Sequence, residues 1–262
     1  MSIATEVIGS GARTALICHG ILGSRRNWRS FARGLSAALP GWRMVLVDLR
    51  GHGDSAALGP PYTVAQCAAD VAALGIDPEV IIGHSFGGKV VLSYTAKLPA
   101  ALQQTWVLDA IPSPSPGDED AQEVSRVIAA LRAIPPLERR TDLVGILTGM
   151  GFSETLARWM TTNLQRTPDG LRWRFDLSAI AALITDYFAL DLWDVLETPT
   201  SDLEIHVVRA LHSERWTPDV LQRFDDLSLS SDVTLHDLDA GHWVHVDNPA
   251  GLIQIMVENW QS

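Results

Sequence analysis

The chain has 262 residues, 47% of them hydrophobic and 19% charged, with a formal net charge of −11. So acidic a balance carries no electrostatic footprint for nucleic acid or an anionic membrane, and the apolar content suffices for one large α/β domain with or without an insertion. No apolar run is long enough to span a bilayer, and MSIATEVIGSG lacks the charged start and apolar stretch of a secretory signal, so a cytoplasmic protein is expected.

Up to Ala110, short β-type runs alternate with helical ones. TALIC (14–18) reads as a strand and Asn27–Leu39 as an amphipathic helix. MVLVDL (44–49) is the next strand, Thr63–Leu74 a helix, EVIIG (79–83) a strand, Lys89–Thr95 a helix and TWVLDA (105–110) a strand. These strands are near-continuous apolar runs, as expected where helices cover both faces of a parallel sheet. Between Pro112 and Thr200 the alternation stops. That stretch opens on the turn-rich, acidic PSPSPGDED and predicts helices over Ala121–Ala133, Arg140–Thr148, Ser153–Gln165 and Leu177–Leu196. The alternation resumes with EIHVVRA (204–210), a helix over Pro218–Leu227, VTLHDL (233–238) and a last helix over Pro249–Trp260. The expected architecture is a mostly parallel central sheet with helices on both faces. Residues 1–111 and 201–262 form its core, and 112–200 form a helical cap over the carboxyl ends of the strands, where open α/β sheets bind ligands. Cys18 and Cys67 fall in apolar or helical runs at no metal or redox spacing, and are expected as buried free thiols.

The stretch richest in chemical meaning is IIGHSFGGKVVLSY (81–94), where one serine stands between two glycines as a strand turns into a helix. So tight a turn forces Ser85 into an unfavourable backbone conformation, and Gly83 and Gly87 are expected to be the residues whose Cβ atoms would collide with it. This is the physical content of a G-x-S-x-G nucleophile elbow, which exposes a serine Oγ above the sheet.

A serine hydroxyl does not ionise near neutrality, so it needs an imidazole to take its proton, an acid to orient that imidazole, and donors for the oxyanion. Among eight histidines, His242 is the candidate base. It lies in AGHWVHVDNP between the last strand and the last helix, with Gly241 before it and Pro249 starting the helix. His52 and His84 read as turn and packing residues. His245, three residues on from His242, has no third ligand at a recognisable spacing, so no metal is expected. His19-Gly20 in CHGILGS opens a loop after the first long strand; Ile21 and Phe86 are the candidate oxyanion donors, both through backbone N–H groups.

HGILGSRRNW, DLRGHGDS, GHSFGGK and AGHWVHVDNP, in this order, resemble the α/β-hydrolase superfamily of serine hydrolases, over nearly the whole chain. GHSFGGK together with TNLQRTPDGLRWRFDL (162–177) is similar to the small carboxylesterases related to the bacterial esterase YbfF and to the mitochondrial α/β-hydrolase-domain esterases. The resemblance implies cofactor-free hydrolysis of ester or thioester bonds through an acyl-serine. Haloalkane dehalogenases and epoxide hydrolases share the superfamily but carry an aspartate at the elbow, and Ser85 argues against their chemistry.

The acid departs from the pattern of many relatives, which carry it just past the strand corresponding to EIHVVRA. Here that segment reads RALHSERW, with Ser213 near the expected position and Glu214 beside it. Asp109, at the end of TWVLDA, is the alternative and the preferred one, since in the resembled subfamily the acid can come from that earlier strand, beside the elbow strand and within reach of the same imidazole. Asp48 and Arg50 read as turn stabilisers. Trp28, Trp159, Trp173, Trp193 and Trp243 are candidates either to line an acyl pocket or to pack the lid. The expected partner is a small acyl ester or thioester, with no nucleic acid and no membrane; the oligomeric state is left open. The rival readings are C–C bond or lactone hydrolysis on the same triad, or a non-catalytic ligand-binding protein on this fold.

Overall fold

A computed structural model describes residues 2–115, 119–135, 137–168, 170–198, 203–228 and 232–260. In chain order the elements are β1 (Thr5–Ile8), β2 (Arg13–Cys18), α1 (Arg29–Ala38), β3 (Trp42–Val47), α2 (Val64–Ala72), β4 (Val80–His84), α3 (Phe86–Thr95) and β5 (Gln104–Leu108). There follow α4 (Glu119–Ala133), α5 (Arg140–Gly149), α6 (Glu154–Thr161), β6 (Leu164–Thr167), β7 (Gly170–Trp173), α7 (Leu177–Ala189) and α8 (Trp193–Glu197). The chain closes with β8 (Glu204–Ala210), α9 (Pro218–Ser228), β9 (Val233–Leu238), α10 (Val244–Asp247) and α11 (Pro249–Glu258).

Seven strands form one sheet in the order β1-β3-β2-β4-β5-β8-β9, parallel throughout except for β1 against β3. Because side chains alternate across a strand, each apolar run feeds two cores. Ala15, Ile17, Met44, Leu46, Ile82, Trp106 and Leu108 face α1 and α11, while Leu16, Cys18, Val45, Val47, Ile81 and Val107 face α2, α3 and α7. Both Cys18 and Cys67 are buried and unpaired. Helix starts follow local chemistry: Thr63, Ser153 and Asp176 each accept backbone N–H bonds at the heads of α2, α6 and α7, and Asn248 does so before Pro249 at the head of α11.

Several elements differ from the sequence expectation, among them three with a clear local cause. The short edge strand β1, only half-buried, is too brief for its alternation to stand out. The helix expected over Ser153–Gln165 ends at Thr161, and the chain turns into the antiparallel hairpin β6–β7. The helix expected over Leu177–Leu196 is two helices, because Asp191 accepts the N–H of Trp193 at 3.0 Å and starts α8 afresh. Pro116–Asp118 of the acidic turn and the border at Thr200 lie outside the described residues.

Candidate active site

Three strand ends bring the site together. β4 runs into Ser85, β5 into Asp109, and the loop after β9 carries His242. Ser85 sits at φ 52°, ψ −117°, and α3 begins at the very next residue, three residues before the expected start. The flanking glycines are required, though by other neighbours than expected. A Cβ on Gly83 would overlap the Gly87 carbonyl, and one on Gly87 would lie 2.5 Å from the Cys18 carbonyl oxygen at the end of β2. In both cases the nearest atoms belong to these neighbours and not to Ser85. The elbow is thus pinned by close approach of its own two arms and the neighbouring strand, with the Ser85 N–H donating to Leu108 O at 2.9 Å.

His242 Nε2 lies 3.1 Å from Ser85 Oγ, and its Nδ1 lies 2.7 Å from Asp109 Oδ2. Nδ1–H donating to the carboxylate leaves Nε2 to accept the serine hydroxyl proton. Asp109 is itself at φ 45° and fully buried. Its other oxygen accepts the Trp216 indole N–H at 2.6 Å and the Ala210 N–H at 3.2 Å. Burial pushes the Asp109 carboxyl up, but the His242 hydrogen bond, the Arg215 guanidinium, the His242 charge and the Trp216 bond together hold it below the usual carboxylate range. Glu214, the alternative acid, is exposed on the cavity wall, and the carboxylate facing His242 is that of Asp109.

Sequence reasoning missed Arg215 and Trp216. The segment RALHSERW, which holds the alternative acid Glu214, supplies donors to Asp109. Arg215 Nη1 donates to the Asp109 carbonyl at 3.2 Å and lies 2.8 Å from His242 Nδ1. An arginine followed by a tryptophan past a sheet strand was the available signal, but only the fold puts it against Asp109.

His84 is more than a packing residue: its Nε2–H donates to the His242 carbonyl at 2.7 Å, fixing the backbone that carries the His242 imidazole. Burial and the neighbouring His242 keep His84 well below the usual histidine pKa, so it stays neutral. His245 stacks on Trp28 at 3.9 Å between ring centroids and borders His84. Asp48 accepts the N–H groups of Arg25 and Asp54, and Arg50 pairs with Asp70, so both stabilise the turn as expected.

On the other side of Ser85, Gly20–Gly23 forms a turn closed by Gly23 N–H to Gly20 O at 3.1 Å. A Cβ on Gly20 would lie 3.3 Å from that of Ser85, so the turn lies directly against the elbow. Among the described residues, no acceptor takes the N–H of Ile21 or of Phe86. His19 and His52 brace this turn, with pKa values depressed by burial to about 4 and about 3.

Ser85 and His242 line a cavity of about 510 Å³ roofed by residues of α4, α6 and α7. Of the five candidate tryptophans, Trp28, Trp159 and Trp243 line it. Trp173 instead stacks on Phe175, and Trp193 is buried with its indole N–H on Ser113 Oγ at 2.8 Å.

Residues 15–255 match the model of the alpha/beta hydrolase family. The chain is 28% identical to lipase LipV of Mycobacterium tuberculosis over 94% of this chain and 93% of that one. It is 25% identical to the sn-1-specific diacylglycerol lipase ABHD11 of Danio rerio over 95% of this chain and 79% of that protein. Among solved structures, a marine microorganism esterase superposes with a TM-score of 0.84 at 23% identity over 98% of both chains, a likeness of fold. The elbow, the strand order and the family match agree, and the chain belongs to the alpha/beta hydrolase family.

Proposed function

We propose that the protein is a serine carboxylesterase acting on small or medium acyl esters or thioesters through an acyl-serine. The observation that carries this reading is the unbroken line from Ser85 Oγ to His242 Nε2 at 3.1 Å and from His242 Nδ1 to Asp109 at 2.7 Å. The lipase names of relatives under 30% identical lend support to ester bonds as the target.

In this mechanism Ser85 Oγ attacks the carbonyl carbon while His242 Nε2 takes its proton, and Asp109 steadies the imidazolium. The carbonyl oxygen becomes an oxyanion held by the N–H groups of Ile21 and Phe86, with the positive end of α3 behind the latter. His242 then protonates the departing alcohol or thiol, and water repeats the sequence to release the acid. Residues 112–200 act as the cap: α4, α6 and α7 supply much of the apolar cavity wall and so shape acyl binding.

A panel of p-nitrophenyl esters and acyl-CoA thioesters, with a fluorophosphonate probe, tests the reading. The wild type is expected to turn over at least one class and to be labelled. Ser85→Ala is expected to lose labelling and at least ~10³-fold in turnover. Labelling that persists in Ser85→Ala overturns the assignment.

A further inference from the structure

The candidate oxyanion turn contains a residue under backbone strain. Leu22 is the third residue of the Gly20–Gly23 turn and has φ 58°, a left-handed conformation that turns of this kind normally give to glycine or asparagine. A leucine there is disfavoured by roughly 1 kcal/mol or more and persists only if its surroundings hold it. Both of its peptide groups are held. Its N–H donates to His52 Nε2 at 3.2 Å, and its carbonyl accepts from Asn163 Nδ2 at 2.8 Å. Asn163 is 1% exposed and stands between α6 and β6, far from Leu22 in sequence.

The second grip traces back to the same hairpin. His52 holds the Leu22 N–H because its own Nδ1–H is fixed on Arg50 O at 2.9 Å. The turn carrying it is bridged to Phe175, and Gly51 O accepts the Asp176 N–H at 3.0 Å. The β6–β7 hairpin and the strand-like stretch after it therefore clasp Leu22 directly through Asn163 and indirectly through His52. Arg174 N–H donating to Asn163 O at 2.8 Å ties the two halves of this clasp together.

We infer that Asn163 is a positioning residue for the oxyanion site: by holding the Leu22 carbonyl it fixes the Ile21–Leu22 unit and aims the Ile21 N–H at the oxygen of the tetrahedral intermediate. The inference rests on the serine-hydrolase reading above and extends it to a residue that touches no substrate. It also gives the inserted segment a second task, since placement of the hairpin and readiness of the oxyanion site become one event.

The test compares wild type with Asn163→Leu, close in size but without a donor, and Asn163→Ala, with active sites counted by fluorophosphonate end-point titration. Per titrated site, kcat is expected to fall about 10- to 100-fold, because a misaimed donor loses part of what its removal would. KM is expected to change less, since the contact strengthens in the transition state. An alkyl trifluoromethyl ketone adds a second readout. Ser85 Oγ bonds its carbonyl carbon, the hydroxyl proton passes to His242, and the ketone oxygen becomes an oxyanion. Its Ki should rise by the same factor as kcat/KM falls, while binding of the corresponding secondary alcohol, which cannot add, stays within about threefold. If either variant folds poorly, site counting removes the inactive fraction and the Ki ratio still reads the rest. Unchanged kcat per site, or an unchanged ketone Ki, overturns the role of Asn163 alone. A wild type that neither turns over esters nor reacts with the probe overturns the serine-hydrolase reading, and this inference with it.

Discussion

The indole N–H of Trp216 donates to Asp109 Oδ1 at 2.6 Å while His242 takes the other oxygen, so both oxygens of one buried carboxylate are occupied from the loops that follow the neighbouring strands β8 and β9. An ionised carboxylate buried with one oxygen unsatisfied would be penalised by desolvation, and here the loop after β8 supplies that satisfaction. The arrangement separates two carboxylates that stand near each other in the fold. Asp109 is inside and triply hydrogen-bonded, Glu214 outside at the cavity wall.

Asp109→Asn should therefore lower turnover by ~10²–10⁴ with a smaller change in KM, as an amide misdirects the imidazole tautomer. Glu214→Gln should change turnover less than about threefold. Trp216→Phe keeps an aromatic ring, though a smaller one, and deletes the donor, and should lower turnover by an intermediate factor of roughly 10. Steady-state kinetics of the three variants check this; a larger loss in Glu214→Gln than in Asp109→Asn would move the acid to the later strand.

How much of this was legible beforehand can be argued residue by residue. Ser85 and His242 stand out because the elbow and the strand-to-helix loop impose backbone demands that show as glycine and proline at fixed offsets. Asp109 could be preferred over Glu214 only through the family resemblance, since a physical choice between them needs the burial that the packed sheet creates. Arg215, Trp216 and Asn163 act through contacts between segments distant in sequence, and nothing local marks them. The hairpin β6–β7 is an instructive case: the helical reading over Ser153–Gln165 rests on local spacing, whereas Leu164–Thr167 becomes a strand by pairing with Gly170–Trp173. The break between α7 and α8 carries a local mark, Asp191, but its apolar neighbours on both sides read as one continuous helix.

Acid should destabilise the protein well before its carboxylates titrate. Burial lowers the pKa of His19 to about 4, and of His52 and His245 to about 3, against 6.5 for an unperturbed imidazole. Above pH 6.5 these groups are neutral in both folded and unfolded chains and cost nothing. As pH falls below 6.5 the unfolded chain binds protons that the fold refuses, so stability is lost progressively until the folded values near 3 to 4 are reached. Chemical denaturation at pH 7, 6 and 5 should show a falling midpoint, with a slope approaching several times ~1.4 kcal/mol per pH unit. A midpoint constant from pH 7 to 5 would mean these rings are solvated.

Trp159 and Trp243 face each other at 5.5 Å between ring centroids and both line the cavity, whereas Trp173 stacks on Phe175 away from it. Trp159→Ala should thus shift the ratio of kcat/KM between long and short acyl esters by roughly 10-fold, through about 1–2 kcal/mol of lost apolar contact with the longer chain. Trp173→Ala should leave that ratio within about twofold while lowering thermal stability. Chain-length profiles of the two variants check the contrast, and equal profiles would remove Trp159 from the acyl pocket.

Lys89 makes the last prediction, on how the inserted segment is anchored. It lies one turn into α3, fully buried, yet carries an ammonium whose burial without partners would be prohibitive. Its three donors are all placed: on Ser113 O at 2.9 Å, Tyr187 O at 2.8 Å and Leu190 O at 2.7 Å. Ser113 stands where the chain leaves the sheet after β5, and Tyr187 and Leu190 where α7 ends. One cation thus gathers the start of the 112–200 segment and the end of α7 onto the elbow helix, and at α7 it does so with carbonyls that a helix C-terminus leaves unsatisfied. Lys89→Met preserves much of the volume but abandons these carbonyls, each bond to a charged donor being worth ~1.5–3 kcal/mol. Partial relief by water should leave a net loss of about 3 kcal/mol, read as a lower denaturation midpoint. Because the broken contacts hold the start of the segment and the end of α7, cleavage by a dilute protease should appear first within residues 112–200 and should outpace the wild type. If Lys89→Met unfolds at the wild-type midpoint and is cut no faster, the anchoring role is wrong, and the segment is held by its apolar face against α2 and α3 alone.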